Sequence, residues 1–290
     1  MMLKKKCKIS DLVIGFFIVL FVLACLLPML YVLAMSLSSN SAILSSKVFL
    51  WPVETTFQSY RTIFADNTMI RSLFLTVELT IVYTAISMAL TIACAYPLSK
   101  KRLKGRNVCM LLILFTMYFS GGMIPDYILV QQLGMLNTQW SLILPQAISA
   151  FNMIILRTFF VDFPDNLEEA AMIDGCRDIG ILVRIYLPLS APILATLSLF
   201  YAVGKWNSFQ DALFYINDST LYPLQLKLNA IISNAQQVNP LEGAQAGVQQ
   251  PLAESLKCAS IIFATLPIVL VYPWLQRYFV KGVMIGAIKG

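Results

Sequence analysis

The stretch Glu168–Ser190, EEAAMIDGCRDIGILVRIYLPLS, decides how this 290-residue chain is read. It lies between two apolar segments, so it faces water at one side of a membrane. Pro164 comes just before it, and Asp165 with Glu168 three residues later has the pattern of a capping box at a helix start. Leu167, Ala170, Ala171 and Asp174 then fall at i, i+3, i+4 and i+7, one face of a helix. A helix of about ten residues is too short to cross a bilayer, which takes about 20. The small Ala170 and Ala171 let another surface come close. Gly175 can take a positive φ and end the helix without strain. Asp178 is expected to start a second short helix running to Tyr186, with Pro188 ending it. The expected object is a helix-turn-helix knob joined rigidly to the apolar segments on either side.

The rest of the composition sets the solvent. Hydrophobic residues make up 58% and charged residues 12%, with no histidine, against roughly 25% charged in a soluble domain. Such a chain buries its apolar surface in lipid. The net charge of +6 does not point to nucleic acid, because the basic residues sit at the ends of apolar runs, where topology signals sit. Cys7, Cys25, Cys94, Cys109, Cys176 and Cys258 form no CxxC pair, and they read as small reduced side chains with no metal site and no disulfide frame. No cofactor is expected.

Six apolar segments follow one another: about 12–37, 72–98, 108–127, 140–160, 189–209 and 255–276. The first follows Lys4, Lys5, Lys6 and Lys8. It is too long for a signal-peptide core, no A-x-A site follows, and it reads as a span that tolerates Pro28. Residues 38–69, with Trp51 and Tyr60, read as an external loop with an interfacial aromatic anchor. The cluster Lys100, Lys101, Arg102, Lys104 and Arg106 reads as a stop signal on the cytoplasmic side. Gly121, Gly122 and Pro125 predict a bend or partly unwound stretch in the third span, and Pro145 lies near the start of the fourth. Residues 210–253 read as a long external segment with a mobile, Asn- and Gln-rich insertion at 234–250. With both termini inside, all but six of the 21 Lys and Arg are cytoplasmic, the exceptions being Lys47, Arg61, Arg71, Lys205, Lys227 and Lys257. The expected fold is an all-α integral membrane protein with six transmembrane helices, N-in and C-in. Residues 1–70 would hold the N-terminal tail, first span and external loop, 71–280 the core with its loop at 161–188, and 281–290 a cytoplasmic tail.

Glu169-Ala170-Ala171, three residues, Gly175, nine residues, then Ile185-x-Leu187-Pro188 resembles the EAA loop of permease subunits of binding-protein-dependent ABC importers. The segments Gly121–Phe160, Phe200–Ile216 (FYAVGKWNSFQDALFYI), Leu221–Leu228 (LYPLQLKL) and Gln276–Gly290 (QRYFVKGVMIGAIKG) extend the likeness to carbohydrate importers. That group includes the second permease of maltose-type systems, and the likeness is closest to permeases called aldouronate or lipoprotein-linked. Lys205 stands where a histidine is expected in such a segment. The resemblance implies the type I importer permease fold in a bacterial cell membrane. It implies a second homologous permease, two ABC ATPase subunits, an extracytoplasmic solute-binding protein, membrane lipid around the chain, and an oligosaccharide as cargo, uronate-containing chains included. The chain itself has no P-loop motif, so ATP hydrolysis falls to the partner. The resemblance further implies that Glu169, Ala170, Ala171, Asp174, Gly175, Ile185, Leu187 and Pro188 couple to the ATPase. Glu169 would pair with a basic residue there, and the face of Ala170 and Ala171 would fill a cleft. Gly286, Lys289 and Gly290 match a tail that reaches the ATPase interface.

A sugar path needs hydrogen-bonding side chains and aromatic faces. Tyr118, Asn152, Tyr201, Trp206, Asn207, Ser208 and Gln210 supply them in the third to fifth spans, with Tyr201 and Ser208 seven residues apart on one helix face. Glu78, a carboxylate inside the second span, is expected to be buried, lining the pore or meeting a polar group across a subunit pair. Lys205 is expected to snorkel. Three other readings compete. An importer of a non-sugar solute would share the loop. An intramembrane enzyme would need paired catalytic groups at membrane depth. A channel or secondary transporter would need a charged ion pathway and no such loop.

Overall fold

A computed structural model describes residues 9–237 and 250–287, and among these every regular element is helical. In order they are α1 (Ile9–Ser36), α2 (Asn40–Leu44), α3 (Gln58–Ala65), α4 (Asn67–Ser99), α5 (Arg106–Tyr118), α6 (Met123–Gln132), α7 (Trp140–Ile143), α8 (Ala150–Val161), α9 (Asp165–Ile173) and α10 (Asp178–Ile181). A π-helical turn, Leu182–Tyr186, leads into α11 (Leu187–Leu189), α12 (Ala191–Asn207) and α13 (Gln210–Tyr215). A 3-10 turn, Ser219–Leu221, precedes α14 (Leu224–Gln237) and α15 (Gln250–Ala287).

Three of these helices hold stretches long and apolar enough to cross a membrane: Val13–Ser36, Asn67–Ser99 and Glu254–Pro273. The count rises to five if each of two bent pairs is one span. The α5–α6 pair turns by 111°, and the segment Asp178–Leu189 turns by 83° into α12. The first bend falls where the double glycine predicts it. Gly122 takes φ +88, and Pro125 sits in the first turn of α6, where its missing N–H costs nothing. The expected fourth span, 140–160, is not one helix. Pro145 follows α7, and the chain becomes helical again only at α8, where Ser149 Oγ caps by accepting from the Asn152 N–H at 3.3 Å. Residues 210–253 are more ordered than the external loop expected of them, since α13 and α14 occupy much of their described part; residues 238–249 lie outside the described residues.

The described residues divide into two compact units. One is drawn from Met1–Ile70 and Leu228–Leu266. In it Ala34, Met35, Ala42, Val48 and Cys258 form a small core. Ser59 and Ser255 share a hydrogen bond of 2.8 Å, and Phe64 meets Phe263 edge to face. Tyr60 is half-buried and shares a hydrogen bond with Ser36, at 2.8 Å, while Trp51 stands exposed. None of the apolar window of α1 is buried within the chain.

The other unit is drawn from Arg71–Lys227 and Pro267–Gly290. Its core joins α4, α8 and α12, with Leu156 and Leu197 sealed completely. The short helices between α8 and α12 add Ala171, Ile181 and Tyr186 to the same core. At its other end Leu224, also fully buried, hands its N–H to Thr76 Oγ1 at 2.7 Å.

Candidate functional site

Two polar sites stand out in the second unit, both built on α4. The first surrounds α9 and α10. Helix α9 starts at Asp165 and ends before Gly175, whose φ of +81 supplies the left-handed turn read from the sequence. A Cβ at Gly175 would touch nothing within 4 Å, so the penalty of any other residue is conformational. Gly175→Val is expected to cost about 1–2 kcal/mol, read as a lower thermal midpoint.

The capping box does not form. The cap residue is Pro164, and the Asp165 and Glu168 side chains turn away to bases on the segment that follows α4. Lys100 Nζ lies 2.5 Å from Glu168 Oε2, with both side chains largely buried. Lys101 reaches Asp165 at 2.8 Å in the open, and its hydrogen bond holds the Asp165 carboxyl below its ordinary pKa. Arg102 pairs with Asp178, a hydrogen bond that raises the guanidinium further, and lies 3.8 Å from Glu168. Lys100 also donates to Tyr186 Oη at 2.9 Å, and Tyr186 in turn donates to Glu168 at 3.2 Å. The ammonium sits over the rings of Tyr186, at 4.0 Å, and Tyr96, at 4.4 Å. Tyr96 Oη donates to the Asp178 carbonyl at 3.1 Å. The basic cluster read as a topology signal is therefore also a clasp on the loop. It went unread because its partners lie far along the chain.

The knob's two faces are distinct. Ala171 is buried in the core, whereas Glu169, Ala170 and Asp174 are exposed. Ile173 at 86% and Ile179 at 76% exposure, neither singled out by sequence, project from the same short helices. Ile185 and Leu187 are half-buried. Pro188 is exposed and does not end the second helix. It comes just after the π-helical turn, the helix runs on through Leu189, and the chain bends at Ser190. Gly286 falls within α15; Lys289 and Gly290 lie outside the described residues.

The second site is a cavity of about 330 Å³ between α4, α8, α12 and α13. It gathers Asn152, Tyr201, Ser208 and Gln210 from the expected path, and adds Tyr83, Gln146, Ser149, Lys205 and Asp211. Tyr201 Oη bonds Thr91 at 2.7 Å and accepts from the Ser149 N–H at 3.1 Å. Lys205 does not snorkel. Its side chain is 3% exposed and its ammonium lies 3.3 Å from Asp211, because α12 ends at Asn207 and the chain folds back into α13. Asp211 also accepts from Gln146 at 2.9 Å and Ser208 at 3.1 Å. The acid that meets the buried lysine is Asp211, six residues beyond Lys205, a spacing that carries no local signal.

Four expected path residues lie elsewhere. Glu78 is exposed on α4 in the single chain, with no ion pair among the described residues. Tyr118 is 77% exposed at the end of α5. Asn207 is exposed and bonds the Val203 carbonyl at 2.9 Å. Trp206 is buried and lines a separate apolar hollow with Val77, Ala202 and Pro267.

Known proteins resemble this chain in sequence and in fold. Residues 106–285 match the family model described as the binding-protein-dependent transport system inner membrane component. The polygalacturonan/rhamnogalacturonan transport system permease protein YtcP of Bacillus subtilis is 43% identical over 98% of this chain and all of its own length. Protein LplC of the same organism is 46% identical over 91% of this chain and 90% of its own length. A chain in the crystal structure of a bacterial ABC transporter involved in the import of the acidic polysaccharide alginate superposes with a TM-score of 0.86. It is 32% identical, and the match covers 95% of this chain and 100% of that one.

Proposed function

This chain belongs to the family of binding-protein-dependent transport system inner membrane components, and from that premise we propose how its two sites work in an ATP-driven carbohydrate importer. The chain is a permease, a multi-pass membrane subunit rather than a catalyst. It pairs with a second permease, and two ATP-hydrolysing subunits dock on the pair from the cytoplasm. An extracytoplasmic binding protein delivers the sugar across a bacterial cell membrane. The distribution of Lys and Arg supports six spans with both ends inside, the two bent helix pairs and α8 counting as spans. The cargo class follows from YtcP, named for polygalacturonan and rhamnogalacturonan, and from the alginate importer. Oligosaccharides, uronate-containing ones among them, are the solutes this reading assigns.

The observation that carries the reading is the knob. Its inner face is clasped and buried, and its outer face offers a carboxylate (Glu169), a small residue (Ala170) and two bare isoleucines at a tight turn. A partner surface that accepts Glu169 with a basic side chain gains a charge-assisted hydrogen bond, and Ile173 and Ile179 supply apolar contact. The tail at Gly286, Lys289 and Gly290 adds a second contact with the ATPase. The cavity around Asn152, Tyr201 and Ser208 offers amide, hydroxyl and aromatic groups of the kind a sugar needs, and it is assigned to the sugar path. Glu78, exposed in an apolar helix, is assigned to the face that meets the second permease.

Tagged chain purified from its own membrane tests this directly. A second permease and an ABC ATPase are expected to follow it. A chain that emerges alone as a stable oligomer, and never binds an ATPase, would overturn the assignment.

A further inference from the structure

The knob is joined by covalent chain to α8 and α12, but its tightest noncovalent bond is to neither. Lys100, the first residue after α4, is 7% exposed and is held by Glu168, Tyr186 and the faces of two aromatic rings. Tyr96 of α4 packs edge to face on Tyr186, with centroids 5.2 Å apart, and on Phe160 of α8, at 6.2 Å. Arg157 of α8 donates to the Leu98 carbonyl at 3.2 Å. A buried ion pair is a poor way to gain stability, since its desolvation cost offsets its attraction. What it gives is directed geometry. Two of the three donors of the ammonium go to fixed acceptors, Glu168 and Tyr186, inside an aromatic cage.

Helix α4 runs from that cage to the cavity. Thr91 bonds Tyr201 at 2.7 Å, and Tyr83 lines the cavity wall. Seventeen residues of helix between Tyr83 and Lys100 span about 26 Å. We propose that Lys100 is a positioning residue: it locks α4 to the coupling knob, so that a push on the knob displaces the cavity wall through α4 as well as through α8 and α12. This rests on the reading of the knob as the ATPase-docking element. In that reading the motion has two covalent carriers, and the clasp adds a third carrier that is held by noncovalent contacts centred on Lys100.

The test uses the complete importer, with its second permease, ATPase and binding protein, in lipid nanodiscs. Lys100→Met strands the Glu168 carboxylate and is compared with Lys100→Met/Glu168→Met, which replaces the pair by packed apolar side chains. The double variant is expected to keep the wild-type thermal midpoint and a full complement of bound ATPase, while sugar moved per ATP hydrolysed falls at least tenfold. Lys100→Arg is expected to retain more than half of wild-type coupling. Wild-type coupling in the double variant would overturn the proposal, because the clasp would then be dispensable. Loss of bound ATPase in the double variant would overturn it equally, because Lys100 would then belong to the docking face. Failure of the underlying functional reading is distinguishable, since the unsubstituted chain would then carry no ATPase at all.

Discussion

Glu169→Lys abolishes sugar uptake and strips the ATPase from the purified complex, while the permease keeps its thermal midpoint. That is the result expected if the outer face of the knob is the docking surface. Glu169 is exposed and makes no ion pair among the described residues, so reversing its charge costs the isolated chain little. At a buried interface the same change removes a charge-assisted bond and sets two cations against each other. The cost is about 2 kcal/mol or more, roughly a thirtyfold weaker complex. The neighbouring carboxylate makes the comparison sharp. Glu168 is turned into the clasp, so its loss should act through coupling and stability, whereas Glu169 should act through assembly. ATPase retained on the tagged chain and initial uptake rates read the two apart. Uptake and ATPase binding at wild-type levels in Glu169→Lys would remove the docking assignment.

The second large effect is expected at Lys205. Lys205→Met leaves Asp211 charged and largely buried in the cavity wall, with Gln146 and Ser208 as its side-chain donors among the described residues. Removing one member of a buried pair costs about 3–5 kcal/mol. For a chain of this size that is a fall of about 10 °C in the thermal midpoint. Adding Asp211→Asn removes the stranded charge while keeping its hydrogen-bonding shape, and most of the midpoint should return. Uptake should not return if the cavity carries sugar, because both charged groups that face it are gone. Recovery of midpoint and uptake together would mean that the pair only staples α13 to α12, and the cavity would lose its place on the path.

Local patterns in the chain were legible where one residue's own chemistry decides the outcome. Gly175 takes the positive φ that its position suggests, the bend expected at Gly121, Gly122 and Pro125 falls there, and α1, α4 and α15 hold long apolar stretches. Local patterns misled where a distant group competes for the same side chain. Asp165 and Glu168 have the spacing of a capping box, but bases more than 60 residues away, at Lys101 and Lys100, bind them instead. Lys205 has the look of a snorkelling lysine until the chain folds back and brings Asp211 to it. Tyr96 and Tyr186, 90 residues apart in the chain, carry nothing in sequence that announces a cage. The loop itself was visible as a motif. Its fastening was not, since ion pairs between segments leave no periodicity to read.

The π-helical turn at Leu182–Tyr186 gives a further meaning to the interval between Gly175 and Ile185. A helix can tolerate many substitutions on its surface, but a residue added or removed turns everything beyond it by about 100°. Here that rotation would swing the Tyr186 ring and hydroxyl out from under Lys100, with composition and hydropathy scarcely altered. The nine-residue interval is then a phase rather than a length. A chain that keeps every residue of the loop but changes its count would still look right in composition and would no longer hold α4.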